Sequence, residues 1–392
     1  MRKRLFFNKN LLVIYSITLI AIQGVSSLTP AFPSIREFFN ISTEEVGYLI
    51  TFFTFPGVIL TPILGILADR YGRKKVMVPS LFLFGIAGGA CFFATDFTTL
   101  LGLRFLQGIG AASLGSLNVT LIGDIFSGKD RGTAMGFNAS VLSLGTFSYP
   151  IIGGALATLG WNFPFLLPPL GIVVGLLVLL FLKNPEPSKD STLKEYLIST
   201  WQIITQKSII GLFSVSVLTF VILYGPYLSY FPFLIGDTFN MPPHIIGIIL
   251  SSASLATIFT SAQIGKFIHK YTERKLMLYS CFFYAVSMVI TPFIGNVWLL
   301  ILPAVLFGLA QGMNLPSLQS LLSSLAPINQ RGAVMSLNGM VLRVGQTLGP
   351  VLMVPIYAFG GLDSTFYVGS VIAMIMFVMI FIFVRKKPAQ ST

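Results

Sequence analysis

The sequence is poor in charged residues, and this shortage excludes whole classes of protein. Only 10% of its 392 residues are charged, whereas roughly one quarter are charged in soluble domains. Too few polar residues are present to coat a soluble surface or to keep a chain disordered. The composition therefore excludes an ordinary cytosolic enzyme and a disordered protein.

Residues that ligate metals or act as nucleophiles are also rare, and they are scattered. The two cysteines, Cys91 and Cys281, both lie in apolar stretches, which argues against a disulfide scaffold or a cysteine metal cluster. The two histidines, His244 and His269, stand alone near the ends of apolar stretches. A membrane enzyme needs clustered acid, base or metal groups. The sequence therefore favours a protein that is not an enzyme and that holds no metal or cofactor.

Apolar residues, in contrast, make up 54% of the chain. A bilayer core of about 30 Å is crossed by about 20 apolar residues in a helix. The basic start before the first apolar run resembles a signal peptide, but the run is long and ends at Thr29-Pro30, so we interpret it as a retained span. The sequence predicts an all-α membrane protein with twelve transmembrane helices, named span 1 to span 12 in chain order: 11–30, 46–67, 76–95, 98–122, 132–159, 162–182, 208–234, 245–268, 276–295, 297–325, 332–359 and 364–384.

Lysine and arginine sort by side when the connections between spans are numbered alternately. Of 25 such residues, 22 share one side with both termini, Arg36 alone falls on the other side, and Arg104 and Arg343 lie inside spans. Because cytoplasmic loops are rich in Lys and Arg, we predict a multi-pass protein of a prokaryotic plasma membrane with both termini in the cytoplasm. The net charge of +12 then follows from topology, and nucleic acid is not an expected partner.

The two halves of the chain repeat at an offset of about 200 residues. Six spans that repeat in the same orientation predict two related six-helix bundles, 1–183 and 208–392, joined by a cytoplasmic linker, 184–207. Apolar residues at helical spacing in the linker favour an interfacial helix, and a loose tether is the alternative. The matching residues include Gly65, Arg131, Asn138, Gly145 and Pro150, which pair with Gly265, Arg331, Asn338, Gly345 and Pro350.

Polar side chains inside the membrane are concentrated in spans 1, 4, 7 and 10, whereas spans 3, 6 and 12 are nearly bare and span 9 carries only scattered hydroxyls, so every third span is a candidate to face lipid. Helices that line a wet path need polar groups, and helices that face lipid can be apolar all round. We therefore predict a central substrate cavity. The alternative for each residue is a bond to a neighbouring helix, which for Arg104 means backbone carbonyls. The cavity candidates are Gln23, Ser27, Arg104, Gln107, Asn118, Tyr224, Tyr227, Gln311, Asn314 and Arg343.

Several motifs resemble those of the major facilitator superfamily. Gly65-Ile-Leu-Ala-Asp69-Arg70-Tyr-Gly72-Arg73-Lys74-Lys75 resembles its loop between helices two and three, and Leu103-Arg104-Phe-Leu-Gln107-Gly108-Ile-Gly110 resembles its helix-four motif. Gly136, Gly145 and Tyr149-Pro150-Ile-Ile-Gly153-Gly154 resemble the helix-five motif of proton-coupled exporters, and Pro30-Ala-Phe-Pro33 is similar to the twelve-span drug:proton antiporter pattern. The chain departs from the family at Tyr149, which replaces a glycine.

The resemblance implies a conformational latch and a packing role for span 5. Asp69 is expected against the positive N-terminus of span 11, and Arg73 is expected to pair with Asp124, so that the two halves are held while the cavity faces out. Gly65 and Gly72 would permit close contact and a tight turn. The latch residues are Gly65, Asp69, Arg70, Gly72, Arg73, Asp124 and Arg131, and the packing residues of span 5 are Gly145, Pro150, Gly153 and Gly154.

The function that the resemblance implies is secondary active efflux coupled to inward proton flow, by rocking of two bundles about a central site. Two buried arginines and no deep carboxylate favour neutral or anionic amphipathic compounds, such as lipophilic drugs or an anionic siderophore. The spans hold no evident proton carrier; candidates at their rims are Asp69, Asp124, Asp237, Glu44 and Glu45.

Several alternatives remain open at this point. Without a proton carrier, the protein would be a facilitator or would use another ion. An importer of sugars or other nutrients, of the same superfamily, is the main rival, and a sensor that does not transport is another. The expected partners are a small-molecule substrate, protons and the lipid bilayer, and the expected oligomeric state is a monomer.

Overall fold

The structure, a computed structural model, describes residues 6–182, 206–325 and 331–384. Within these ranges the elements are helices and none is a strand. Eleven of the described helices are long and apolar enough to cross a membrane, and the last, Leu337–Phe383, has 47 residues, about twice what one crossing needs. Gly361 breaks that helix with φ 70° and ψ −168° and so separates spans 11 and 12. The predicted all-α membrane fold with twelve spans is confirmed.

The observed helices lie close to the predicted spans. In the first half they are Lys9–Ser26 and Phe32–Phe39 (span 1), Thr43–Tyr71 (span 2), Arg73–Ala90 (span 3), Phe97–Ala111 and Leu114–Ile125 (span 4), Gly128–Leu159 (span 5) and Leu170–Phe181 (span 6). In the second half they are Lys207–Ile222 (span 7), Pro243–Ala262 and Ile264–Lys270 (span 8), Glu273–Ile290 (span 9), Ile301–Leu325 (span 10) and Arg331–Phe383 (spans 11 and 12). The predicted linker and its interfacial helix fall outside the described residues, except for its last two positions.

The internal repeat is visible in local backbone structure. Asn40 and Asn240, 200 residues apart, both adopt left-handed conformations, with φ of 50° and 51°, as asparagine tolerates better than most residues. Span 4 begins at the N-cap Asp96, whose side chain accepts a hydrogen bond from the Thr99 amide at 2.8 Å, and Asn296 caps the matching turn before span 10. The hydrogen bonds from Thr99 hold the pKa of the Asp96 carboxyl below its usual value.

Two spans are interrupted near their middles. The α-helix of span 4 ends at Ala111 and restarts at Leu114. Beyond Ile222, span 7 becomes π-helical over Leu223–Tyr230 and again over Leu234–Thr238. Pro226 lies in the first π-helical stretch and has no N–H to donate to the regular α-helical ladder. Span 7 therefore consists of a regular first part and an irregular second part.

The described residues form two compact units. The first unit comprises the described residues of 1–190 together with Leu228–Ser251. The second unit comprises the described residues of 191–227 and 252–392. The irregular end of span 7 and the start of span 8 thus belong, by their contacts, with spans 1 to 6.

Burial distinguishes the spans. In the most apolar stretch of each span, the fraction of buried residues is largest in spans 1, 4, 7 and 10, at 67, 61, 61 and 56%. These are the same four spans in which the polar residues are concentrated. Span 6 exposes Leu176, Leu179 and Leu180, and span 12 exposes Phe381 and Ile382, as expected for helices against lipid. Span 9 is half buried, because one of its faces turns into the second unit, as shown below.

Candidate functional site

The centre of the first unit is built around Arg104 of span 4. Its side chain is 1% exposed. The guanidinium donates to the carbonyl oxygen of Leu49 at 3.2 Å, to that of Gly24 at 2.9 Å and to the Gln107 side chain at 2.6 Å. It also lies 4.3 Å from the centre of the Phe53 ring. Arg104 thus joins spans 1, 2 and 4, as in the backbone-carbonyl alternative, and its role in a substrate cavity stays a prediction.

The other cavity candidates of the first unit are also buried; Gln23 and Asn118 bond to neighbouring segments, whereas Ser27 bonds within span 1. Gln23 is fully buried and its amide lies 3.4 Å from the Leu167 carbonyl oxygen, while Ser27 donates back to the Gln23 carbonyl at 2.6 Å. Asn118 donates to Thr18, which in turn donates to the Asn138 side chain at 2.6 Å. These bonds connect spans 1, 4 and 5. Thr18 and Asn138 were not predicted as cavity residues. The polarity of a side chain in the sequence does not indicate which helices it connects in the fold.

Three buried polar atoms of this cluster have no hydrogen-bond partner among the described residues. They are Gln23 Oε1, Gln107 Nε2 and Asn118 Oδ1. Buried polar groups are nearly always hydrogen-bonded in native proteins. The cluster therefore has unused donor and acceptor capacity in addition to its helix-to-helix bonds.

In the second unit, spans 7, 9 and 10 meet in a polar and aromatic cluster. The Tyr284 hydroxyl donates to the Gln311 side chain, and Asn314 donates to Thr219 Oγ1 at 2.7 Å. The Tyr227 ring stacks on Phe307 with 4.1 Å between ring centres and 6° between planes. The predicted residues Tyr227, Gln311 and Asn314 are thus brought together by side chains that the prediction omitted.

Tyr284 is the main omission, because span 9 was predicted to face lipid. The sequence does contain a signal for it: Ser280, Tyr284, Ser287 and Thr291 recur at spacings of four, three and four residues, which is one face of a helix. All four are at most 2% exposed. The other face of the same helix exposes Phe282 and Val289, so span 9 is amphipathic rather than purely lipid-facing.

Arg343 lies on span 11 in the second unit and is half-buried. Its Nη1 donates to the Gln346 side chain, one turn along the helix, at 3.2 Å. On span 7, which packs against span 11 at Gly345 and Gly349, the Tyr224 ring stacks on Phe220 with 5.9 Å between centres. Span 11 thus carries a cation beside an amide, and the adjoining span 7 carries two stacked aromatic rings.

Glycines bring helices into close contact at different places in the two units. A Cβ on Gly349 of span 11 would lie 2.8 Å from the Gly225 amide nitrogen of span 7. In span 5, Tyr149 occupies the position that matches Gly349. There the close approach occurs one turn later, at Gly153, where a Cβ would lie 2.6 Å from the Ser27 carbonyl carbon. Gly145 faces side chains of the same span 1, with Leu19 at 3.1 Å from its Cβ position.

The remaining part of the span-5 motif contacts span 8. A Cβ on Gly154 would lie 2.5 Å from the Pro243 carbonyl oxygen, and a Cβ on Gly247 would collide with the backbone of Pro150. Next to this crossing, Ser251 Oγ donates to the Phe147 carbonyl oxygen at 2.7 Å. Of the four span-5 packing residues, Gly154 and Pro150 thus meet a segment of the second half, whereas Gly145 and Gly153 pack within the first half.

The loop between spans 2 and 3 carries an ion-pair network. Arg73 pairs with Asp69, and its Nε donates to Asp124 Oδ2 at 3.1 Å; the role of this pair as a latch stays a prediction. Gly72 turns the chain with φ 100°, a conformation that glycine adopts without strain. The predicted docking of Asp69 on span 11 stays a prediction.

Three further latch residues have distinct surroundings. The Arg131 guanidinium lies 3.1 Å from the position of a Cβ on Gly123 of span 4, and Arg70 lies 5.8 Å from the Tyr71 ring centre. Gly65 is half-buried, and no atom of another described segment lies within 4 Å of its Cβ position. Its role in close contact stays a prediction.

A second ion pair lies at one end of the first unit. The charge pattern predicts that this end is on the outer side of the membrane. The Arg36 guanidinium contacts both Asp237 oxygens, at 2.6 and 3.0 Å. It also donates to Thr43 at 3.2 Å and lies 5.3 Å from the Phe233 ring centre. The only basic residue predicted on that side thereby fastens the end of span 7 to the end of span 1.

Comparison with known proteins agrees with this architecture. The profile of the Major Facilitator Superfamily matches residues 14–242 and 227–392. The bacillibactin exporter of Bacillus subtilis (strain 168) is 27% identical over 370 residues, covering 89% of both chains, and multidrug resistance protein 2 of the same organism is 25% identical, covering 87% of both. The crystal structure of a D-xylose–proton symporter matches with a TM-score of 0.77 at 14% identity, covering 96% of this chain and 98% of that one, which is a likeness of fold alone.

Proposed function

The chain belongs to the major facilitator superfamily and is a multi-pass membrane transporter of small molecules, and on this premise we propose that it is a secondary active exporter. The proposed cargo is an amphipathic organic compound, neutral or anionic, such as a drug or a siderophore-like metabolite. Two relatives are named for bacillibactin export and for multidrug resistance, which supports export rather than uptake.

The observation that carries this proposal is the attachment of Leu228–Ser251 to the first half. The contacts that make it include the Arg36–Asp237 ion pair, the crossing of Gly154 with Pro243, that of Gly247 with Pro150, and the Ser251–Phe147 hydrogen bond. In the proposed orientation, with both termini in the cytoplasm of a prokaryotic cell, these contacts close the outer end. Release of cargo to the outside then requires this segment to leave the outer ends of spans 1 and 5.

Proton antiport is the proposed energy source. Each proton that moves inward across 100 mV supplies about 2.3 kcal/mol. No carboxylate lies deep in a described span, so the proposed carriers are the rim groups Asp69, Asp124 and Asp237, with Glu44 and Glu45. The proposed unit of transport is a monomer, because each chain contains both bundles.

Export is tested by a growth-inhibition panel in a host that lacks its own pumps. Expression of the wild-type protein should raise the inhibitory concentration of some amphipathic compounds, and Asp69→Asn should abolish the gain at equal expression. In everted vesicles, collapse of the pH gradient should stop accumulation of the same compounds. Accumulation that ignores the gradient would refute proton coupling, and uptake by whole cells would favour the nutrient importer.

The outer attachment is tested by exchanging its charges. Arg36→Asp and Asp237→Arg each place like charges together and should lower efflux, while the double variant should restore most of it. Stability should change by only about 1 kcal/mol, because the pair is partly exposed. Glu37→Gln, which removes a neighbouring carboxylate, serves as the matched control. Equal efflux by all four variants would remove this ion pair from the transport cycle.

A further inference from the structure

The charges inside the membrane are of one sign. Within the described spans, the deep charged residues are Arg104 and Arg343, and the carboxylates lie toward the span ends. A charge at the bilayer centre is costly, so such residues are almost always turned to the protein interior, to water or to a partner. Arg104 is turned to the protein interior, where its guanidinium is bound by spans 1, 2 and 4.

Exposed leucines mark one side of span 11, and the position of Arg343 can be compared with them. At 100° per residue, Leu352 lies opposite Arg343 and Leu348 lies about 140° away. Both leucines are exposed apolar residues, 45 and 38% accessible, and mark the lipid side of span 11. Arg343, Gln346 and the buried Thr347 share the opposite face. Arg343 therefore lies off the side of span 11 that the two leucines mark.

The repeat shows that the fold does not require an arginine at this position. Ser143 of span 5 occupies the matching place in the first half and is likewise half-buried. Both spans make glycine-based crossings with their neighbours, at Gly153 in the first half and at Gly345 and Gly349 in the second. The glycine crossings of span 11 thus lie at positions other than that of Arg343.

The surroundings of Arg343 suit one kind of ligand. A guanidinium binds carboxylate or phosphate oxygens through paired hydrogen bonds. Gln346 accepts one N–H of Arg343 and so restrains the guanidinium, while the adjoining span 7, which packs on span 11 at Gly345 and Gly349, carries the stacked rings of Phe220 and Tyr224. We propose that Arg343, positioned by Gln346, binds the anionic group of an aromatic or otherwise apolar organic anion. This inference rests on the proposed transport function and narrows its substrate class to anions.

The test compares an acid with its neutral isostere. N-dansylphenylalanine and its primary amide differ only in a carboxylate and a carboxamide, and their binding to the purified protein is measured by fluorescence titration. The wild-type protein should bind the acid better than the amide. Arg343→Gln should weaken acid binding about tenfold or more, the usual scale for loss of a charged hydrogen bond, and should change amide binding less than twofold.

Two further variants separate recognition from a structural effect. Arg343→Lys should retain part of the preference for the acid, whereas Gln346→Glu, which neutralises the guanidinium, should lose it. Melting temperatures of all variants establish that they fold. If Arg343→Gln binds both compounds as the wild type does, or if the wild type does not prefer the acid, the proposal is wrong.

Flux in everted vesicles separates this proposal from the proposed function. Acid binding that depends on Arg343, without accumulation in vesicles, would refute export and leave the anion site intact. Accumulation of the amide by the wild type and Arg343→Gln alike, with equal binding of the acid by both, would refute the anion site and leave export intact.

Discussion

Arg104 and Arg343 are both arginines inside the membrane, but the two units surround them differently. Arg104 is almost fully buried and binds two backbone carbonyls, one amide and one aromatic face. Arg343 is half-buried and lies beside an amide of its own helix. The difference teaches that a charge in a span is not by itself a sign of a substrate site. The guanidinium of Arg104 is enclosed by helices and bonded to their backbone, which is sufficient to explain its place in the membrane.

The largest expected effect contrasts these two arginines directly. Arg104→Ala removes three interhelical contacts and leaves a cavity, which should cost about 2–4 kcal/mol of stability. Arg343→Ala should leave the melting temperature near that of the wild type and weaken binding of organic anions. Thermal unfolding in detergent, together with anion titration, measures both. If Arg104→Ala melts normally and loses only transport, the contrast between the two arginines is broken.

The second prediction concerns the glycines of span 5. Gly153→Ala places a methyl group against the Ser27 backbone and should destabilise the protein by about 1–3 kcal/mol, because backbone atoms there must move apart. Gly136→Ala is the matched control on the same helix, since no described atom lies within 4 Å of that Cβ position. It should melt at or above the wild-type temperature. Equal effects of the two substitutions would show that the crossing at Gly153 can adjust freely.

The smallest expected effect compares the polar bonds that connect each unit's helices. The Thr18 hydroxyl is hydrogen-bonded to two amide side chains, those of Asn118 and Asn138. The side-chain hydrogen bond described for Ser216 is a single one, to Asn338 at 2.9 Å. Interhelical hydrogen bonds in membranes contribute about 0.6 kcal/mol each on average. Thr18→Val should therefore lower stability about twice as much as Ser216→Ala. Unfolding in mixed detergent measures the ratio, and a larger loss for Ser216→Ala would contradict it.

The outcome for span 9 shows how far the pattern of residues can predict a site. A census of polar residues placed span 9 among the lipid-facing helices, and its exposed face carries Phe282 and Val289 as that census implies. Tyr284 nevertheless turns inward to Gln311. The spacing of its hydroxyl residues predicts a polar face, but only the rotation of span 9 in its bundle brings that face against span 10.

The span-5 motif gives a second example. Its glycines indicate close helix packing, and the structure has such packing at Gly153 and Gly154. The partners differ, since Gly153 meets span 1 and Gly154 meets span 8. Adjacent residues on a helix point about 100° apart, so a single motif serves two neighbours that no spacing in the sequence distinguishes.

The number of membrane crossings and the internal repeat could be read from the chain without a structure, and the charge pattern predicts its orientation. Each depends on short-range requirements: a crossing needs about 20 apolar residues, and loops carry their own charges. The acceptors of Arg104, which lie 55 and 80 residues away on spans 2 and 1, and the attachment of Leu228–Ser251 to the first unit were decided by helix packing. Contacts of that kind depend on how each helix is rotated against its neighbours, which is a property of the assembled fold rather than of any one segment.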